Sequence, residues 1–225
     1  MNLADLRQQC YDMVPSCADH FVNAIQDDAI YYDKDTMSIA LSSTFKKEKY
    51  IAYMIMNNIY NQNNVWDFDV EKYSKDGEFE LSDEQMNAVK YLCKYNISIL
   101  NGAGGTGKSF STQAVIKMLE DNGKKYELFS PTGKAAKVLS GFTGRKASTI
   151  HRGLGYNPRV GWTYNQDCKL CCDVVIVDEC SMVDVSLFAH LIGAIDFNRT
   201  KLMLIGDNAQ LPSVGCGNLF HDFMQ

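Results

Sequence analysis

An α/β fold built on a mostly parallel sheet, preceded by a small mainly helical unit, is what this 225-residue sequence predicts. Three observations carry that expectation. Short apolar runs at 96–100, 125–129, 173–177 and 201–205 alternate with longer helical patterns, the signature of strands joined by helical crossovers. A glycine-rich loop lies between the first of these runs and a helix. Each run is also followed by an unusual polar group, and ligands of parallel sheets bind beyond the carboxyl ends of their strands.

The loop is Gly102-Ala103-Gly104-Gly105-Thr106-Gly107-Lys108-Ser109, which fits G-x-x-x-x-G-K-S completely. Ile97-Ser98-Ile99-Leu100 before it reads as a buried strand, and Phe110 to Leu119 after it reads as a helix. That context makes it a P-loop: glycines let backbone N–H groups wrap a polyphosphate, and the helix N-terminus adds positive potential. Lys108 is expected to reach the β- and γ-phosphates and Ser109 to place its hydroxyl on Mg²⁺. A nucleoside triphosphate is the expected ligand.

The next candidate residues follow other strands. Val174-Val175-Ile176-Val177 runs into Asp178 and Glu179. Mg²⁺ takes oxygen ligands, which suits Asp178 opposite Ser109. Glu179 is then left to orient or deprotonate an attacking water. An acid pair capping the next helix is the blander reading. The strand at 201–205 leads into Gly206-Asp207-Asn208-Ala209-Gln210, where Gln210 is a candidate γ-phosphate contact, although Gly-Asp-Asn is also ordinary turn chemistry.

Upstream, Pro15 separates two short helical patterns at 3–13 and 16–27. Ala29 to Tyr32 and Thr36 to Ala40 read as a β-hairpin around Asp33-Lys34-Asp35, and Ser43 to Tyr60 as a helix. The polar, acidic stretch after it reads as a linker. The expected division is therefore an accessory unit at 1–62, a linker at 63–80 and a second domain at 81–225. Ser82, with Gln85 three residues on, forms a capping-box pattern at the start of that second domain.

The net charge of −5 is unevenly spread: residues 1–80 carry −7, residues 124–170 carry +7 and residues 171–225 carry −5. A basic middle segment is compatible with a phosphate-backbone ligand and equally with a solvated lysine face. No apolar run is long enough to span a membrane. The eight cysteines, without the layout of an export signal at the N-terminus, read as reduced thiols and point to a cytoplasmic location. Cys168-x-x-Cys171-Cys172 invites a zinc reading, but no second ligand pair stands nearby, so free thiols are expected.

The motifs in series resemble the N-terminal part of superfamily 1 DNA helicases of the RecD-like and Dda-like 5′-to-3′ group. Leu81-Ser82-Asp83-Glu84-Gln85 is similar to their Q motif, Gly102 to Ser109 to motif I, and Ser130-Pro131-Thr132-Gly133-Lys134-Ala135-Ala136 to motif Ia. Ala147 to Arg152 follows, then Val177 to Asp184 as motif II, with Cys180 where the family usually has Ala, and Gly206 to Gly215 as motif III. The resemblance covers residues 81–225. It implies a RecA-like P-loop NTPase domain as the first motor domain, with a winged-helix-like accessory unit before it.

It also implies roles. Gln85 would recognise the adenine edge, favouring ATP, and Phe110 would join Gly102 to Ser109 in holding the nucleotide. Lys108, Asp178, Glu179 and Gln210 would be the catalytic set, with Ser109 and Asp178 on Mg²⁺. Thr132, Lys134, His151, Arg159 and Trp162 would meet single-stranded DNA. Residues 155–170 would form an inserted β-hairpin pin, with Tyr156, Trp162 and Tyr164 interleaved with Arg159. The family's second motor domain, which supplies an arginine finger and half the DNA track, would follow Gln225. The chain alone is thus expected to bind ATP·Mg²⁺, to hydrolyse it poorly and not to unwind DNA. A stand-alone P-loop ATPase or switch protein and a non-catalytic DNA-binding module are the competing classes.

Overall fold

The computed structural model of the chain describes residues 8, 12, 29–36, 38–76, 79–103, 107–210 and 212–224. The helices expected at 3–13 and 16–27 lie outside the described residues, Gln8 and Asp12 excepted. The chain divides into two compact units, 1–52 and 53–225.

In the first unit β1 (Ile30–Asp33) and β2 (Ser38–Leu41) pair antiparallel. Asp33 Oδ1 accepts from the Asp35 and Thr36 amides at 2.9 and 3.4 Å, an Asx turn that closes the expected hairpin. Helix α1 (Ser42–Asn58) follows directly and crosses from the first unit into the second. Its Phe45 stacks on Tyr31 with ring centroids 3.6 Å apart.

The second unit continues through a 3₁₀ turn at Val70–Tyr73 and a short antiparallel pair, β3 (Lys75–Asp76) and β4 (Phe79–Glu80). This corrects the linker reading of 63–80. Trp66, Val70 and Tyr73 are buried in the main core, with Phe68 packed against it. The Trp66 amide donates to Cys93 O at 2.9 Å. The acidic, polar composition of the stretch hid four well-spaced large apolar side chains, and burial of those outweighs the solubility of their neighbours.

The remaining elements are α2 (Asp83–Lys94), β5 (Ile97–Asn101), α3 (Lys108–Asp121), β6 (Tyr126–Ser130), α4 (Gly133–Thr143), β7 (Ser148–Thr149), α5 (Ile150–Gly153), β8 (Val174–Val177), α6 (Val185–Gly193), β9 (Lys201–Gly206) and α7 (Leu219–Asp222). The sheet order is β5-β9-β8-β6-β7, and every pairing in it is parallel. Every residue of β8 and β9 is buried. Val174, Ile176, Met203 and Ile205 join the core under α2 and α3. Val175, Val177, Leu202 and Leu204 alternate with them and are buried as well, so these central strands are covered on both faces.

Over 155–170 the chain forms no strand pair. It makes a loop with one isolated antiparallel bridge, Asn157 to Gly161. Asn157 Oδ1 accepts from Arg159 N at 2.8 Å, and Asn165 Oδ1 from Asp167 N at 2.8 Å, so two Asx turns use up the length a ladder needs. Trp162 turns inward, stacking on His151 of α5 and His190 of α6 at 5.3 and 4.4 Å, with Tyr156 at 4.6 Å. Pro158, Arg159 and Val160 form the exposed tip.

Lys201, the first residue of β9, is fully buried. Its Nζ donates to Tyr95 O at 2.9 Å and Cys93 O at 3.3 Å, carbonyls at the end of α2, the second of which also accepts from the Trp66 amide. The ammonium also lies 4.9 Å from the Trp66 ring centroid. Burial, with a contribution from the Lys124 charge, brings its pKa down to about 8 from 10.5. Between those values the unfolded chain holds the proton that the folded chain has released, so this group makes stability rise with pH across that window. The difference in urea midpoint between the wild type and Lys201→Met is expected to shift in favour of the wild type from pH 8 to 10.5. A flat difference would show that Lys201 stays charged when folded. Trp66→Ala is expected to cost about 3–5 kcal/mol in chemical denaturation, whereas a tether would tolerate the change at no cost.

Candidate nucleotide site at the carboxyl edge of the sheet

Because all strands of the main sheet run the same way, the residues after them meet at one edge. Gly102 N donates to Gly206 O at 3.1 Å and Asn208 N to Asn101 Oδ1 at 3.1 Å, tying the exits of β5 and β9 together. Asp178 N donates to Phe129 O at 2.9 Å and does the same for β8 and β6.

Lys108 opens α3, and its Nζ donates to Gly102 O and, at 3.0 Å, to Ala103 O. The ammonium therefore already sits against the start of the P-loop. Ser109 is exposed in the first turn, which carries no acidic residue to weaken the positive end of the helix. Gly104, Gly105 and Thr106 lie outside the described residues.

Gln85, Gly107 and Phe110 line one groove of about 700 Å³ together with Glu80, Leu81, Ser82 and Asp83. The capping box is present: Gln85 N donates to Ser82 Oγ at 3.3 Å and Ser82 N to Gln85 Oε1 at 2.9 Å. These bonds fix the carboxamide, and Gln85 Nε2 packs 2.7 Å from where a Cβ on Gly107 would stand.

Thr132, Lys134, Asp178, Glu179 and Gln210 line a second cavity of about 300 Å³ with Ala135, Val138 and Met182. Burial raises the pKa of the Asp178 carboxyl from its ordinary value; the Glu179 charge adds to this, while the backbone N–H of Glu179 and the Lys108 ammonium oppose it. Glu179 is the one non-glycine residue at positive φ among the described residues, at φ 55° and ψ 39°. Its Oε2 is buried and has no hydrogen-bond partner among the described residues. A side chain held in the left-handed region with an unsatisfied oxygen marks strain kept at a working position. Cys180 next to it is buried, and burial pushes its thiol up to about 12, which leaves it chemically quiet. Gln210 is held by a turn in which its amide donates to Asp207 O at 3.1 Å.

The residues expected on DNA separate. Thr132 and Lys134 stand in the second cavity, but Thr132 Oγ1 also caps α4 by accepting from Ala135 N at 3.2 Å. His151, Arg159 and Trp162 line neither cavity. Arg159 is exposed at the loop tip, and Trp162 lies at its base in the aromatic stack. Asn101 escaped the reading of the sequence, and so did the capping role of Asp184, which was read only as the end of motif II. Asp184 caps α6 through Leu187 N at 2.8 Å, a role that an acid three residues before the apolar Leu187 does signal. Asn101 had no signal, since a strand-terminal Asn reads as a turn residue.

The strain at Glu179 gives a stability test. Left-handed backbone costs a side-chain-bearing residue about 1–2 kcal/mol that glycine escapes. Glu179→Gly is thus expected to have a higher thermal midpoint than Glu179→Ala, since both remove the buried oxygen and only glycine relieves the backbone; equal midpoints would remove the strain argument.

Comparison with known proteins bears on the same residues. Residues 85–216 match the AAA domain family. The chain is 40% identical over 151 residues to the ATP-dependent RecD2 DNA helicase of Deinococcus radiodurans, covering 67% of this chain and 20% of that protein. It is 32% identical to the RecBCD enzyme subunit RecD of Haemophilus influenzae, covering 90% of this chain and 35% of the relative. With the ATP-dependent DNA helicase dda of Enterobacteria phage T4 it shares 34% identity over 61% of this chain and 34% of the relative. The chain thus spans 20–35% of the length of these relatives. It belongs to the AAA domain family and is similar, over 61–90% of its length, to RecD-like and Dda-like helicases.

Proposed function

We propose that residues 81–225 are the first motor domain of an ATP-dependent DNA helicase or translocase that moves 5′-to-3′ on single-stranded DNA. The observation that carries this is the meeting of Gly102, Thr132, Asp178–Glu179 and Gln210, from four strands, at one edge of the sheet. An ATP site needs a phosphate loop, a cation-holding acid, a water-orienting acid and a group that reads the γ-phosphate, and these residue types supply them in turn.

The donor set fits ATP·Mg²⁺. Ser109 Oγ and Asp178 are hard oxygen donors, and the unpartnered Glu179 Oε2 is a buried acceptor awaiting a donor. Mg²⁺, when bound there, would neutralise charge on the phosphates. Lys108 would leave the loop carbonyls to meet phosphate oxygens, Gln85 and Phe110 would hold the base, and Glu179 would take the hydrogen of an attacking water. The 300 Å³ cavity carries exposed Val138 and Met182 beside Glu179, which supports closure by a second motor domain outside this chain.

For DNA, the basic excess of 124–170 supports a backbone track that includes Lys134 and Arg159. The loop at 155–170 suits a short wedge: its base is anchored by the Trp162 stack, and Val160 at its tip is 87% exposed. Trp162 then acts as an anchor and not as a base-stacking platform, and His151 belongs to the same anchor.

Two measurements test the reading. Lys108→Ala is expected to weaken binding of a fluorescent ATP analogue at least about tenfold, the equivalent of roughly 1.4 kcal/mol; unchanged affinity would refute the site. Lys134→Ala with Arg159→Ala is expected to flatten the log–log salt dependence of single-stranded DNA binding by about 0.7 per lost contact. An unchanged slope would remove these residues from the track.

A further inference from the structure

The loop that carries Gln210 is fastened at both ends to different parts of the site. At its start, Asn208 N donates to Asn101 Oδ1 at 3.1 Å, and Gly206 lies against the Phe220 ring, where a Cβ would stand 2.8 Å from Cζ. At its exit, Gly215-Cys216-Gly217 lies on the first turn of α6. Val185 N donates to Cys216 O at 3.1 Å. A Cβ on Gly215 would overlap Asp184 Oδ2 and stand 2.7 Å from Asp184 Cβ and Cγ. One on Gly217 would overlap Val185 Cγ2, and Gly217 is at φ +94°, which side chains rarely adopt. The single Ser213 hydroxyl proton is shared between Gly215 O and Gly217 O, each 3.1 Å from Oγ, which holds the two glycines in one turn. The Asp184 carboxylate cannot swing aside freely, since its Oδ1 accepts from Leu187 N at 2.8 Å.

Asp184 and Val185 follow Asp178 and Glu179 by a single 3₁₀ turn, Cys180–Met182. The first turn of α6 is therefore the rigid exit of the carboxylate segment, and the Gln210 loop is seated on it. We infer that Gly215 and Gly217 are positioning residues: their close packing on Asp184 and Val185 sets where Gln210 stands relative to Asp178 and Glu179 before any ligand arrives. The inference rests on the ATP-site reading for what Gln210 does, but not for where it is held.

Amide hydrogen exchange of the 225-residue chain without nucleotide tests it. Gly215→Ala is expected to speed exchange about tenfold or more at Val185 and also at Ala209 and Gln210, with β8 and β9 unchanged. Faster exchange confined to Val185, or none, would overturn the inference. Should Gly215→Ala not fold, Ser213→Ala, which removes the hydroxyl that ties Gly215 to Gly217, is measured in the same way. Faster exchange at Val185 and also at Ala209 and Gln210 supports the strap; unchanged exchange at Ala209 and Gln210 overturns it. The readout needs no nucleotide, so failure of the strap is separate from failure of the ATP site, which wild-type ATP-analogue binding reports.

Discussion

The parallel pairing of β5, β9, β8 and β6 is the constraint on which everything else depends. A central strand covered on both faces favours apolar residues, and β8 is four of them in a row, all buried. The first residue after that run, next to Val177, is Asp178. In β9 the buried Lys201 stands at the start of the strand, and Asp207 is the first ionisable residue after the apolar run that follows it. The chemistry stands at the carboxyl edge because the sheet interior excludes it, and parallel order gathers the four exits at one side instead of alternating them.

That arrangement has a cost, which is concentrated at Glu179. The residue takes a left-handed backbone and buries an oxygen without a partner among the described residues, while burial raises the carboxyl pKa of its neighbour Asp178 from its ordinary value. An isolated fold would relax all three. They persist because β8 pins the segment on one side and the first turn of α6 pins it on the other, with the Gly215 to Gly217 strap lying on that turn. Burying a carboxylate oxygen that lacks a partner is unfavourable until a donor or a cation supplies one, so Glu179 Oε2 is an acceptor held ready for a ligand.

Most of this architecture was legible in the sequence where the physics is local. The strands at 96–100, 125–129, 173–177 and 201–205 read within about one residue because continuous apolar runs of that length have few other uses. Ser82 and Gln85 read correctly because a capping box is local chemistry. What escaped was set by long-range packing. β7 is two residues long, Ser148 and Thr149, and exists only because β6 offers it an edge. Trp66, Val70 and Tyr73 were masked by acidic neighbours, although they meet α2 and α3 in the core. Trp162 was expected on DNA from its place in the order of motifs, and that order gives no sign of His190, 28 positions away, on which the ring stacks.

The central claim is that residues following different strands surround one cation–phosphate centre. Mn²⁺ with a non-hydrolysable ATP analogue, added to isotopically labelled chain, tests this through paramagnetic broadening of amide signals. Ser109, Asp178, Glu179 and Gln210 should broaden together, with Trp66 and Lys201 at the opposite end of the sheet unaffected. Broadening confined to the P-loop, or centred on other residues, would contradict the account.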